Sequence, residues 1–200
     1  MLTRKPKYQI VGERVSALSG SLIDIGARDR VLKRFITNEE LSYLSADRIP
    51  GNDITLDLEK PLPMADNSYD IVVALDILEH LESIHTAMKE LLRITKRKLF
   101  ISLPNMSCLS FRVQFLLHGT LSGKYTLGPT HTDDRHRWVT GYKETSEFVR
   151  QNVPADCNVI QYDVLNGFGV LHNAVAKLPL PASLRTYCLL FEITKATANK

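Results

Sequence analysis

Residues 71–75, Ile-Val-Val-Ala-Leu, form an unbroken apolar run between a turn and an acidic exit. A strand of this kind has to be covered on both faces, which points to a mostly parallel sheet with helices on each side. Upstream, Pro61 and Pro63 break the alternating run Ile54, Leu56, Leu58, and Asp66-Asn67-Ser68 turns the chain into the strand. Ligands of open α/β sheets gather outside the carboxyl ends of such strands. Asp57 and Asp76 both stand at strand ends, so a pocket is expected between them.

The flanking segments extend the pattern. Residues 8–18 place Val11, Val15 and Leu18 at helical spacing with Gly20 as a stop, and residues 21–25 predict a strand ending at Gly26. Residues 29–36 carry Val31, Leu32, Phe35 and Ile36 on one helical face. Strands follow over 41–46, ending at Asp47, and over 53–58. Residues 83–95 set Ile84, Ala87, Met88, Leu91 and Leu92 on one face of a helix whose C-terminal dipole suits Lys96, Arg97 and Lys98. A strand over 99–103, a helix over 143–152 with Thr140 as its cap, and strands over 159–164 and 187–194 separated by a Pro-rich connection complete the set. The expected fold class is α/β: a doubly wound, seven-stranded sheet, mostly parallel, with a C-terminal antiparallel hairpin. A chain of 200 residues suffices for one core, so a single domain over 1–200 is expected. Residues 106–138 lose clear periodicity and read as a loop or lid insertion.

Several classes are disfavoured. No apolar run approaches the roughly 20 residues needed to cross a bilayer, and the basic N-terminus has no apolar signal core, so a cytoplasmic protein without membrane insertion is expected. Cys108, Cys157 and Cys188 are odd in number and form no CxxC pair, against both a disulfide framework and a structural zinc site. The net charge of +3 is dispersed apart from residues 96–98 and Arg4, Lys5 and Lys7, so a nucleic-acid partner is not expected.

Asp24-Ile25-Gly26 in the first turn, Asp47 after the second strand, Asp57-Leu58 after the third, and ALDILEHL over 74–81 together resemble the class I S-adenosylmethionine-dependent methyltransferases, in particular the type 11 group. The resemblance covers residues 20–105 and implies a Rossmann-like fold, S-adenosylmethionine as cofactor and methyl transfer to a small-molecule acceptor such as a sugar or another metabolite. It implies that Asp47 takes the ribose hydroxyls, since one carboxylate can accept from both. Asp57 and the Leu58 backbone would meet adenine, Asp24 would orient the amino-acid end, and Leu75 would form part of the wall. Gly26, Ala27 and Arg28 form the turn past which the cofactor lies. The chain departs from the glycine-rich pattern there, with Gly26-Ala27-Arg28-Asp29-Arg30 where further glycines are usual. Arg28 is a candidate for the cofactor carboxylate.

The same aspartates could be plain turn or cap residues, although three at successive strand ends favour a site. His80 and Glu79 are the nearest candidate bases, with a locally bonded helix-start histidine as the bland alternative for His80. The stretch HTDDRHRWVTGY gathers His131, Asp133, Asp134, His136, Trp138 and Tyr142 after the long loop. These side chains could anchor the loop or bind substrate, with Asp134, His136 and Trp138 as the substrate candidates; their spacing matches no metal-ligand pattern, and no metal is expected. A catalytically degenerate methyltransferase-like protein that binds and regulates a partner is the competing reading, favoured by Arg28 and Arg30 and disfavoured by Asp47 and Asp57. A nicotinamide oxidoreductase is disfavoured because Arg28 and Val31 replace glycines of GxGxxG.

Overall fold

In the computed structural model, which describes residues 1–121, 123–127, 129–132, 134–167 and 169–196, the apolar run 71–75 lies in a central strand. In chain order the elements are β1 (Leu2–Thr3), α1 (Lys7–Ser16), β2 (Ser21–Ile25), β3 (Ser42–Asp47), β4 (Ile54–Thr55), β5 (Tyr69–Leu75), α2 (Ile84–Ile94), β6 (Thr95–Pro104), α3 (Leu109–His118), α4 (Tyr142–Asn152), β7 (Asn158–Val164), α5 (Val170–Val175), α6 (Ala182–Arg185) and β8 (Cys188–Thr194). Among the described residues they build a sheet in the order β1-β7-β8-β6-β5-β2-β3-β4. The pairs β2–β3, β2–β5, β5–β6, β3–β4 and β1–β7 are parallel, and β8 runs antiparallel to both β6 and β7.

Alternation along β5 divides the core into two layers. Ile71, Val73 and Leu75 face α1, packing with Val11, Val15, Leu22 and Phe100. Val72 and Ala74 face the other side with Ile23, Met88, Leu91 and Phe191. The continuous apolar pattern therefore has the cause expected of it: each face of the strand carries its own helix layer. Glu192, fully buried on β8, accepts from Arg14 at 2.9 and 3.0 Å and from the Tyr162 hydroxyl at 2.9 Å, with Lys98 as a further partner. Paired and hydrogen-bonded in this way, the buried charge ties α1 to the antiparallel strand.

The α/β, doubly wound, mostly parallel sheet is as expected; several details are corrected. The sheet has eight strands, because residues 2–3 add a short edge strand alongside β7. The expected C-terminal antiparallel pair is β7 with β8, and the connection between them holds α5 and α6. The expected helix over 29–36 shrinks to one 3-10 turn, Leu32–Phe35. Arg28 and Arg30 have φ of 43° and 54°, left-handed values that no helical turn accommodates. The strand over 53–58 keeps only Ile54–Thr55, since the Asp53 carboxylate takes the Ser45 backbone N–H and hydroxyl at 2.8 and 2.6 Å in place of a ladder. Residues 106–138 are not one loop: they contain α3, whose exposed Phe115, Leu116 and Leu117 are consecutive and mask the helical period. Thr140 does not cap α4; its hydroxyl donates to the Pro104 carbonyl at 2.6 Å.

Candidate functional site

Chain connections run outward in opposite directions from β2 and β5, which makes their shared carboxyl end the switch point of the sheet. A cavity of about 500 Å³ opens there, within the range of cofactor pockets. Gly26, Ala27 and Arg28 form one edge, Asp47, Asp57 and Leu58 another, and Leu75, His80 and Asp134 close the far side.

The first turn keeps the shape of a glycine-rich turn while carrying arginines. Backbone N–H groups of Gly26 and Ala27 both donate to the Ala46 carbonyl, at 2.8 and 3.1 Å, and Arg28 N–H donates to Asp47 Oδ2 at 2.9 Å. Gly26 has φ of +76°, and a Cβ there would meet Ile77 at 2.7 Å, so the turn lies close against the segment after β5. Arg28, Arg30 and Asp76 all hold positive φ around the cavity. Strained backbone of this type persists where surrounding bonds over-determine it. For Arg30 those bonds are guanidinium contacts to Ser45 Oγ and the Gly51 carbonyl, each 2.9 Å. The Arg28 guanidinium reaches across to Asp134 at 3.5 Å, and both residues line the cavity.

Asp47 holds its own turn, accepting also from Ile49 N–H at 3.0 Å, and each carboxylate oxygen retains a lone pair toward the cavity. Asp57 accepts from Glu59 N–H at 3.1 Å and pairs with Lys60 at 3.3 Å. Asp24 is set back from the cavity lining, buried beneath the turn, where the Tyr43 hydroxyl donates to it at 2.7 Å. Burial pushes the Asp24 carboxyl up to about 6, partly offset by that hydrogen bond.

On the opposite wall, the segment after α3 folds over the residues that follow β5. Arg137 and Trp138 N–H groups donate to the Glu79 carbonyl, the Arg137 guanidinium to the His80 carbonyl, and the Trp138 indole to the Leu81 carbonyl at 2.7 Å. Trp138 thus sits outside the cavity as a latch. Trp138→Phe removes this bond at a cost of about 1 kcal/mol. Faster limited proteolysis within residues 119–138, at an unchanged global melting temperature, is the expected outcome; unaltered cleavage would show that the latch carries no weight.

Beneath the latch, Glu79 is buried and its Oε2 has no hydrogen-bond partner among the described residues, while Oε1 lies 3.8 Å from His136 Nε2. The His136 ring packs edge-on against His80 and Tyr125, with centroids 4.5 and 4.7 Å away. Burial, with the Asp76 carboxylate adding to it, pushes Glu79 up to about 8. Burial and the neighbouring His80 and Lys124 push His136 down to about 4, and burial with Lys124 also lowers His80. At neutral pH this corner holds a protonated carboxyl beside two neutral imidazoles. Glu79, His80 and His136 offer ligand atoms within 4.8 Å of one another, a spacing that could hold a cation, but the Lys124 ammonium stands 3.4 Å from His80 Nε2 and competes for the same position. Asp134 lines the cavity between Lys124 at 2.8 Å, Arg28 and His80.

Of the sequence candidates, Gly26, Ala27, Arg28, Asp47, Asp57, Leu58, Leu75, His80 and Asp134 converge on one cavity, whereas Asp24, His136 and Trp138 lie behind it. Asp133 lies outside the described residues. Sequence reasoning missed Tyr8 and Lys124 in the lining, and Lys7, whose ammonium pairs with Asp76; Glu79, the other candidate base, lies buried behind the lining. The Lys7–Asp76 pair spans the chain from α1 to the end of β5, and no local pattern announces it.

Residues 30–101 match the family described as "Methyltransferase domain". No curated protein matches the sequence. Among solved structures, the small RNA methyltransferase HEN1 superposes over 100% of this chain with a TM-score of 0.67 at 11% identity, and the chain spans 27% of HEN1's length. The CurJ carbon methyltransferase gives 0.59 at 13% identity, covering 95% of this chain and 54% of CurJ. A SAM-dependent methyltransferase from Archaeoglobus fulgidus gives 0.58 at 13% identity over 96% of both chains. Residues 30–101 thus resemble a methyltransferase domain, and the chain shares the fold of S-adenosylmethionine-dependent methyltransferases.

Proposed function

We propose that the chain methylates a small-molecule acceptor held between the cavity and the latch segment. The observation that carries this reading is the convergence of two chemically different walls on one cavity at the switch point: acidic acceptors and backbone at Asp47, Asp57 and Leu58, and titratable groups at His80 and Asp134. S-adenosylmethionine supplies a methyl group on a sulfonium, which leaves the protein chiefly the task of holding a nucleophile in line.

The residues divide that task. Asp47 accepts from ribose hydroxyls, Asp57 and the Leu58 backbone meet adenine, and Leu75 packs against the middle. The first turn brings backbone close, with Arg28 held by Asp134. His80 is neutral and lines the cavity, so its imidazole can receive a proton from an acceptor hydroxyl. Asp134 binds the acceptor's polar groups, with His136 and Trp138 holding the segment that presents it. A degenerate partner-binding protein would need the arginine-bearing turn to fill the pocket, and the open cavity disfavours that.

Isothermal titration with S-adenosylmethionine and with its demethylated product tests the reading. Micromolar binding of both is expected, followed by turnover in a screen of hydroxyl- and amine-bearing metabolites. Absence of binding to either ligand at millimolar concentration would overturn it.

A further inference from the structure

Residues 106–132 and 165–191 contain none of the chain's 22 acidic residues. The fold brings these two stretches together, with α3 of the first packed on α5 and α6 of the second. The inner side of that contact is built: His172 on α5 is buried, bonded to Ser110 at 3.0 Å and to the Leu165 carbonyl at 2.9 Å, and the Phe111 and Tyr187 rings pack together. What points outward is apolar. Leu116 is 83% exposed and Val170 88%, with Phe115, Leu117, Leu171 and Leu178 also exposed. An apolar groove of about 510 Å³, lined by Met106, Phe111, Phe115, Leu116 and Leu121 with Arg112 at its side, runs along α3. Arg112, His118 and Lys177 are exposed in the same two stretches.

A contiguous apolar face on this scale marks an interaction surface. Its charge decides among occupants. A second copy docking isologously would set these cations against themselves with no carboxylate to answer them. A surface with hydrocarbon below and phosphates above answers both the exposed leucines and the cations. No helix among the described residues is long and apolar enough to cross a membrane, so the contact would lie in the interface plane. We propose that the α3–α5 face docks on anionic phospholipid membranes.

Co-sedimentation with vesicles tests this independently of any methyl transfer. The chain is expected to pellet with phosphatidylcholine vesicles containing about one third phosphatidylglycerol, at least about tenfold more weakly with phosphatidylcholine alone, and less at high salt, where surface charge is screened. Leu116→Glu with Val170→Glu, both at exposed positions, should keep the melting temperature and lose at least about tenfold in binding. Three results would overturn the proposal: a wild-type chain that stays in the supernatant, a double variant that pellets equally, or a dimer in sedimentation velocity that the double variant dissolves without any vesicle binding, which would assign the face to self-association.

Discussion

Asp47→Ala is expected to weaken S-adenosylmethionine and its demethylated product by about 100-fold, or about 2.7 kcal/mol. Hydrogen bonds to a charged group contribute roughly 1.5–3 kcal/mol each, and one carboxylate facing two vicinal hydroxyls makes two that are not additive. Asp47→Asn keeps one acceptor oxygen and should fall between, at about tenfold. Asp47 also holds the N–H groups of Arg28 and Ile49, so part of the loss comes from a loosened first turn. Thermal midpoints separate the two contributions: an affinity loss much larger than the stability loss places the carboxylate on the ligand. Titration values for Asp47→Ala within about twofold of wild type would remove Asp47 from the cofactor site.

Glu79→Gln is expected to change how stability depends on pH. Glu79 is fully desolvated and faces Asp76, which pushes its carboxyl from the ordinary carboxylate range up to about 8. A group whose folded pKa exceeds its unfolded one binds a proton in the folded state that the unfolded chain has already lost. Its contribution is therefore fully present below about pH 4.5, falls as pH rises, and is gone above about 8. A shift of this size corresponds to a loss on the order of 5 kcal/mol by pH 9. Glutamine mimics the protonated acid, so the variant should match wild type near pH 5 and exceed it in melting temperature near pH 9. Parallel melting curves for the two proteins across that window would show that Glu79 does not titrate there. If His80 accepts the acceptor's proton with Glu79 beside it, the variant should also shift the alkaline limb of the activity profile, because the charge at residue 79 no longer changes.

Much of the fold was legible because burial leaves a local mark. β5, β2 and α2 were placed to within a residue or two, since their apolar periods are set by packing against layers on either side. Residues 29–36 and 53–58 were misread for the opposite reason. Their backbones are governed by hydrogen bonds to distant groups, Asp47 and Arg30 in one case and Ser45 in the other, and apolar spacing does not report these. Residues 109–118 were missed because a helix with an exposed apolar side has no polar face to give it a period.

The site divides in the same way. Aspartates at successive strand ends, followed by the DILEH stretch, mark one wall of the cavity from sequence alone, because parallel topology places every strand's carboxyl end on one edge. The sequence determined an α/β sheet, its switch point and the acidic residues around it. Only the tertiary structure decided that two arginines adopt left-handed backbone where glycine is usual and that Arg28 pairs with Asp134 at the cavity edge. It also decided that Asp24 sits behind the turn, and that Glu79 is buried against a histidine 57 positions away. Those outcomes depend on which distant partners satisfy each charge, and such partners are chosen by packing in three dimensions, where local propensity carries no information.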